Sequence, residues 1–531
     1  MAINPRPQTP PPPTITISTD LTGMVNAAQQ ALLHMEGAPH LFQRARQPCL
    51  IAHGVTPPKW LQRPPDAPVI VALEKDYLLE LVNHAASWEK VSKTKKQTVE
   101  AALPPAQVIR TLLARPIQPF PLLEGVICAP TLKPDGGILD TPGYDAETGL
   151  YLDLNGTRYP QIPTRPRLDD AHKAIQRLQE VFRNFPWVHT DVGLSSVLAA
   201  VLSLVARYAF AGNVPLFAVR STTRGSGKGL LIDAISVIAT GRQAPRWAHT
   251  LDEEEERKRL LTLGAAGDPL VHIDNVVHPL GSGPLDLAIT APTFTDRVLG
   301  TQTRQEVPMN VVFFASGNNM LFRGDMARRV IPIDLDPKME RPEEREGFDH
   351  SPLLPWILEE RPRLVVAALT LLKAYFAAGC PAQDIKPLGS FEAWSTTIRQ
   401  ALIWADQADP CTARLEIEAE SDPQYEAFHD LLLTWHACFI LTTQALPLKT
   451  VIQDAVNLGA PRDVRPFVPN AYDCLRDALG YFDKRYDGKS LHADTISNAL
   501  RAWKGRVIDN MRLVNSKDPH TKTALWKVET L

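Results

Sequence analysis

The sequence predicts an α/β protein organised on a parallel sheet, and three observations predict it. A short apolar run at 216–219 (LFAV) leads into the loop TTRGSGKG at 222–229 and then into apolar residues at helical spacing, Leu230, Leu231, Ala234, Ile235 and Ile238. Two more apolar runs, at 270–273 and 310–315, end in polar residues, Asp274 and the stretch SGNN at 316–319. Between and after them lie helical segments. Apolar runs that alternate with helices suit buried parallel strands.

At 531 residues and 58.7 kDa, the chain has length for about three or four domains, each able to bury a core. Its formal charge is −3, with 22% charged and 44% hydrophobic residues, an ordinary globular composition. Whole-chain charge therefore neither supports nor excludes a nucleic-acid partner, and any basic surface must be local. The six cysteines are scattered, with no CxxC pair and no histidine at zinc-ligand spacing. That pattern argues against a zinc module and suits reduced thiols in the cytoplasm. No apolar run approaches the ~18 residues that span a bilayer, so no membrane partner is expected.

Taken in order, residues 1–18 open with Pro5, Pro7 and Pro10 to Pro13 and are expected to form a disordered or polyproline tail. Residues 19–162 read as a mixed α/β N-terminal domain. Helices are expected at 20–35, 76–86 and 106–114, extended pieces at 41–43, 49–52 and 69–73, and a hairpin around KPDGG at 133–137. Its lysines Lys90, Lys93, Lys95 and Lys96 read as a solvated loop rather than a phosphate site. The core domain spans 163–345, where helices at 169–184 and 191–208 should pack on the sheet. A helical lid follows at 346–440, with segments at 353–378, 391–405 and 424–440.

Residues 441–531 end in helix, helix, strand, turn-rich segment, strand, which is a winged-helix layout. From 484 to 531, ten Lys and Arg stand against five Asp and Glu. Arg501, Lys504 and Arg506 at the second helix, with Lys517 and Lys522 in the wing, are placed to meet DNA phosphates. A protein-interaction module with the same layout is the alternative.

In the loop, Gly225 and Gly227 allow backbone N–H groups to turn inward around an anion. Lys228 opens the helix where an ammonium reaches β- and γ-phosphates. Thr223, Arg224, Gly225, Ser226, Gly227, Lys228, Gly229 and Leu230 are thus the expected nucleotide-binding segment. Such loops usually open with Gly, and this one has Thr222; they close with Ser or Thr, and this one has Gly229. The hydroxyl missing at Gly229 is normally a magnesium ligand, so a water or another residue must substitute. A glycine-rich turn that merely packs is the alternative.

Asp274, at the end of its apolar run, is the candidate magnesium ligand, acting through water. Asn275 follows it, where many ATPases carry a glutamate that polarises water. The base must then come from elsewhere, and Glu254 or Glu255 in the acidic run 252–256 is the candidate; a solvated helix start is the commoner meaning of such a run. Asn318 or Asn319 would orient attacking water beside the γ-phosphate, or cap a helix. Arg328 and Arg329, ahead of another apolar run, suit an arginine finger donated by a neighbouring subunit, or plain salt bridges.

The segments TRGSGKGLL, LVHIDNV, VVFFASGNN, GDMARRVIPIDLD, DRVLG, GSFEAWSTTIRQALIWADQADP and GVICAPTLKPDGGILDTPGYDAETGLY together resemble the primase/helicase proteins of phages and integrative mobile elements. Those proteins are related to superfamily 3 and other AAA+ replicative helicases. The resemblance implies an AAA+ P-loop ATPase core with a helical lid and C-terminal winged helix. It also implies an ATP- and Mg2+-dependent DNA helicase in the bacterial cytoplasm, assembling as a homo-oligomer, commonly a hexamer, on single-stranded or forked DNA, with Arg328 or Arg329 acting in trans. Replication proteins are further possible partners. By the same likeness Arg304, near the tip of two short strands, is the pore-loop candidate, with a surface hairpin as the alternative. Primase activity has no catalytic residues to support it in the N-terminal domain. Two rivals remain: a nucleotide-switched replication initiator or transcription regulator that binds duplex DNA without unwinding it, and a structural oligomer with a degenerate site.

Overall fold

The apolar runs assemble into one parallel sheet around the strand that precedes the loop. In the computed structural model, the described residues are 12–35, 40–91, 98–297, 304–339, 341–414, 423–439, 444–457, 471–508, 510–519, 521 and 523–530. The strands are β1 (Leu216–Ser221), β2 (Arg246–Ala248), β3 (Leu270–Asp274), β4 (Val312–Asn318) and β5 (Val330–Leu335), and they lie in the order β5-β1-β4-β3-β2. Leu216 to Val219 and Val312 to Ala315 are each at most 1% exposed. Burial on both faces is why these strands read as continuous apolar runs rather than alternating ones.

The order of the strands places the site. The chain leaves β1 toward β2, steps back through β3 to β4 beside β1, and then crosses to β5 on the other side. Connections that leave one strand in opposite directions open a crevice at the carboxyl ends of the strands. The glycine-rich loop sits there.

Around the sheet run α1 (Leu168–Phe182), α2 (Thr190–Val205), α3 (Lys228–Thr240), α4 (Glu253–Ala266), α5 (Gly283–Thr290) and α6 (Leu353–Ala377). α3 stops at Gly241, whose φ of +76° lets its N–H return to the Val237 carbonyl at 2.9 Å. Arg361 of α6 caps the same end, donating to the carbonyls of Ile238 and Ala239, both at 3.1 Å. The segment expected as one helix at 391–405 is three consecutive pieces, Glu392–Trp394, a wider turn at Ser395–Arg399, and Gln400–Trp404.

The described N-terminal residues form small sheets and three helices, and they are stitched to the core. Leu61–Gln62 adds an antiparallel edge to β2. Trp60 lies against Trp247 with ring centroids 5.7 Å apart, and Arg63 pairs with the buried Asp268. Arg44, itself buried, donates to the Gly264 carbonyl at 2.9 Å and the Leu123 carbonyl at 3.1 Å. Part of the expected disordered tail is in fact ordered: Thr14–Ile17 pairs in parallel with Ser87–Val91, because Ile15 buries against Val25, Val82 and Trp88. Residues 1–11, and Lys93, Lys95 and Lys96, lie outside the described residues.

The chain divides into two compact units, Met1–Arg414 and Leu415–Leu531. The second contains α7 (Pro423–Phe439), α8 (Leu448–Asn457), α9 (Ala471–Tyr481) and α10 (Ala493–Leu500). Its antiparallel sheet has the order Leu446–Pro447, Ala524–Thr530, Met511–Lys517, Val507–Ile508. α7, expected as part of the lid, belongs instead to this unit, since Phe428, Leu431, Leu432 and Trp435 bury against Leu475, Leu479, Ile496, Trp503 and Trp526. α8 is an element the sequence pattern does not announce. Among the described residues no helix is long and apolar enough to cross a membrane.

Candidate nucleotide site

Gly225 and Gly227 adopt φ of +72° and +88°, left-handed backbone that a side chain would strain. Gly227 is the N-cap of α3, and Lys228 and Gly229 are the helix's first two residues. A helix N-terminus carries unpaired N–H groups and partial positive charge, which suits phosphate. Lys228 Nζ donates to the Thr223 carbonyl at 3.2 Å, to Ser226 Oγ at 3.1 Å and to Asn318 Oδ1 at 2.7 Å. Burial lowers its pKa, and the nearby Asp274 carboxylate opposes that shift. Asn318 faces the loop because Ser221 and Asn318 are paired in register. Asn319 instead turns away at φ +46°, its N–H donating to the Ser221 carbonyl at 3.1 Å.

Asp274 is held by a relay that sequence reasoning missed. Buried His272 bonds through Nε2 to Ser316 Oγ at 2.8 Å, and Ser316 Oγ donates to Asp274 Oδ1 at 2.9 Å. The hydroxyl can donate onward only by accepting from His272, which fixes the Nε2–H tautomer. Burial pushes the His272 pKa down to about 4, so the ring is neutral. The signal was present as His272 two residues before Asp274 on the same strand face. The Asp274 side chain is 42% exposed, and among the described residues no group of three ligand-type side chains could cage a metal. A magnesium ion fits here only as an ion that keeps its waters, held by Asp274 and phosphate oxygens.

Beside the loop is a cavity of about 510 Å³, lined by Asn184, Phe185, Gly225 to Gly227, Leu230, Pro337, Glu343, Phe348 and His350 among others. Its volume suits a small ligand. Only Gly225, Ser226, Gly227 and Leu230 of this set were singled out in the sequence, because the other walls come from the residues just after α1 and the segment before α6, remote in the chain. Arg224 is exposed.

The remaining candidates lie elsewhere. Glu254 and Glu255 are paired with Lys258 and Arg259 on their own helix, both at 3.0 Å, and Asp252 caps that helix by accepting from both their N–H groups. This is the solvated helix start. Arg328 and Arg329 sit just before β5, at the end of the sheet opposite the loop, since Val330 is paired with Leu216 and Leu335 with Ser221. Arg328 is 61% exposed and Arg329 is 19% exposed. Arg304 is exposed in the hairpin Thr293–Arg297/Arg304–Pro308, whose tip at 298–303 lies outside the described residues. In the second unit Arg501, Lys504, Arg506 and Lys517 are all exposed, and Arg506 stacks on Trp503 at 4.5 Å. Lys522 lies outside the described residues.

No protein-family model matches the chain, and no curated protein matches it. Among solved structures it is similar to the apo C-terminal region of NrS-1, with 12% identity and TM-score 0.39 over 82% of this chain and 92% of that one. It is also similar to the SCCmec type IV Cch helicase, with 12% identity and TM-score 0.30 over 93% and 98%. A third likeness, to JCV helicase, has 15% identity and TM-score 0.19 over 50% and 72%. Scores this low do not bear on what the chain does, which rests on its own site.

Proposed function

We propose that this chain is an ATP-dependent, ring-forming DNA helicase of a phage or mobile-element replication system, an AAA+ enzyme acting on single-stranded or forked DNA in the bacterial cytoplasm. The observation that carries this reading is the setting of Lys228: an ammonium at the crevice of a parallel sheet, bonded to Asn318, with Asp274 alongside. Loop N–H groups and Lys228 would bind the β- and γ-phosphates, and the neighbouring cavity would take the nucleoside. Once phosphate oxygens take over the ammonium, the Asn318 amide is free to orient attacking water. Asp274, held by Ser316, keeps its other oxygen for the water of a magnesium ion. That ion, when bound, neutralises phosphate charge.

Arg328 and Arg329 are too far from their own loop to act in cis. Exposed Arg328 is therefore the better candidate to complete an adjoining subunit's site in a hexamer. Glu254 and Glu255 have no support as general bases. We read the second unit as a winged helix that meets DNA phosphates through Arg501, Lys504, Arg506 and Lys517, and Arg304 as the pore-loop cation; replication proteins remain candidate partners. Strand displacement on a forked duplex tests the whole: the wild type should unwind it with ATP, and Lys228→Ala and Arg328→Ala should not. Tight duplex binding, with ATPase activity stimulated by duplex and no displacement, would favour the initiator instead.

A further inference from the structure

The hydroxyl absent at Gly229 leaves a gap in the site, and a side chain from another strand faces it. A Cβ on Gly229 would meet one neighbouring atom within 4 Å, Arg246 Nη2, at 3.7 Å. Arg246 comes from β2, where it is paired with His272, so it shares a face of the sheet with Asp274. Its guanidinium is anchored by Asp233, which lies one turn along α3 from Gly229 and is 4% exposed. Asp233 also takes the Ala244 N–H at 3.2 Å. The Arg246 side chain is 31% exposed, and among the described residues its only hydrogen bond is to Asp233.

We propose that Arg246 is a phosphate-binding residue: its fixed guanidinium supplies part of the charge neutralisation that a hydroxyl-held magnesium ion gives in loops ending in Ser or Thr. The site then grips a nucleoside triphosphate with little dependence on a divalent cation. This rests on the nucleotide-binding reading above and deepens it. A guanidinium is always charged and presents a planar fork of donors that matches phosphate oxygens. Asp233 holds that fork in place, which removes most of the ordering cost of binding. Gly229 supplies clearance, because a side chain there would stand between the guanidinium and an incoming oxygen. The chain's own metal-binding donors are correspondingly few: among the described residues no three His, Cys, Asp or Glu side chains gather where they could hold a metal ion, although the Glu343 carboxylate also approaches the loop, at Gly225.

Equilibrium titration of the full-length protein with a fluorescent ATP analogue, in magnesium and in excess EDTA, tests this on the wild type, Arg246→Gln, Arg246→Lys and Gly229→Ser. Chelation should weaken wild-type binding by no more than about threefold. Arg246→Gln should lose roughly tenfold or more in magnesium, the scale of one lost hydrogen bond to a charged group, and should become strongly dependent on magnesium. Arg246→Lys, which keeps charge without the fork, should fall between. Gly229→Ser leaves the Arg246–Asp233 pair intact, and it should bind normally with magnesium but weaken sharply on chelation; it decides the matter if Arg246→Gln does not fold. A wild type that binds only with magnesium overturns the role of Arg246 alone. A wild type that binds in neither condition overturns the nucleotide reading as well.

Discussion

Arg328 and Arg329 are adjacent in the chain, yet the structure separates what their loss should do. Arg329 Nη1 lies 2.7 Å from Asp286 Oδ1, and the two side chains are 19% and 25% exposed. The pair is off hydrogen-bond geometry, but removing Arg329 strands a partly buried carboxylate, at a cost of about 1–3 kcal/mol. Arg328 pairs at 2.6 Å with Asp325, with 61% and 53% exposure, and such surface pairs contribute only ~0–1 kcal/mol. Arg329→Ala should therefore lower the melting temperature, and Arg328→Ala should not. For ATP turnover the order reverses, since an arginine finger is worth about 10³–10⁵ in kcat. The five strand steps between Val330 and Leu335, at ~3.3 Å each, put the pair roughly 16 Å from its own loop. On the proposed reading the finger acts across a subunit boundary, and mixing two variants, each inactive alone, checks this. In a ring of Lys228→Ala and Arg328→Ala subunits, about a quarter of the interfaces join an intact loop to an intact finger under random head-to-tail assembly. ATPase activity should reappear in the mixture. Activity no greater than that of either variant alone, once subunit exchange is verified, would refute the trans assignment, as would an Arg328→Ala protein that hydrolyses ATP normally.

Lys228→Ala should weaken ATP binding by roughly 10- to 100-fold, the loss of a charged hydrogen bond, read by calorimetry; unchanged affinity would mean that the loop is not the phosphate site. Glu256 is 3% exposed and accepts from Ser282 Oγ, and burial raises its pKa. A raised folded pKa makes its contribution to stability complete below the unfolded value and lost as pH rises through the folded one. Glu256→Gln should accordingly raise the melting temperature more at pH 8 than at pH 5, and an equal shift at both values would show that the burial cost is not ionic. Replacing Arg501 and Lys504 together by Ala should flatten the salt dependence of DNA binding by about one unit of log–log slope for each phosphate left without its cation, measured by anisotropy against salt; an unchanged slope would place DNA on another surface.

The elements legible in the sequence were those set by local pattern. The strand before the loop, the apolar strands ending at Asp274 and Asn318, and the helices α1, α2, α6 and α7 all form within a few residues of where periodicity puts them, because a buried parallel strand or an amphipathic helix writes its burial into consecutive residues. Short polar strands escape. Arg246–Ala248 has only Trp247 fully inside, so it carries no apolar run, and Leu61–Gln62, with Leu61 alone buried, is too short to show a period. Thr14–Ile17 is hidden beside the proline-rich run because four residues are too few to establish a period, and both its partner strand Ser87–Val91 and most of the pocket that buries Ile15 come from residues remote in the chain.

By itself the sequence determined the loop, since left-handed backbone at Gly225 and Gly227 and a lysine opening a helix follow from steric rules that act over a few residues. It also placed a carboxylate and an amide at the ends of two buried strands. Tertiary structure alone decided that β4 lies between β1 and β3, which brings Asn318 to Lys228 and Ser316 to Asp274. It alone set Arg246 against Gly229 and left Arg328 exposed while half-burying Arg329. The physical reason is that strand order and side-chain neighbours are chosen by burial and pairing between residues far apart in the chain, and no local spacing records which strand will stand beside which.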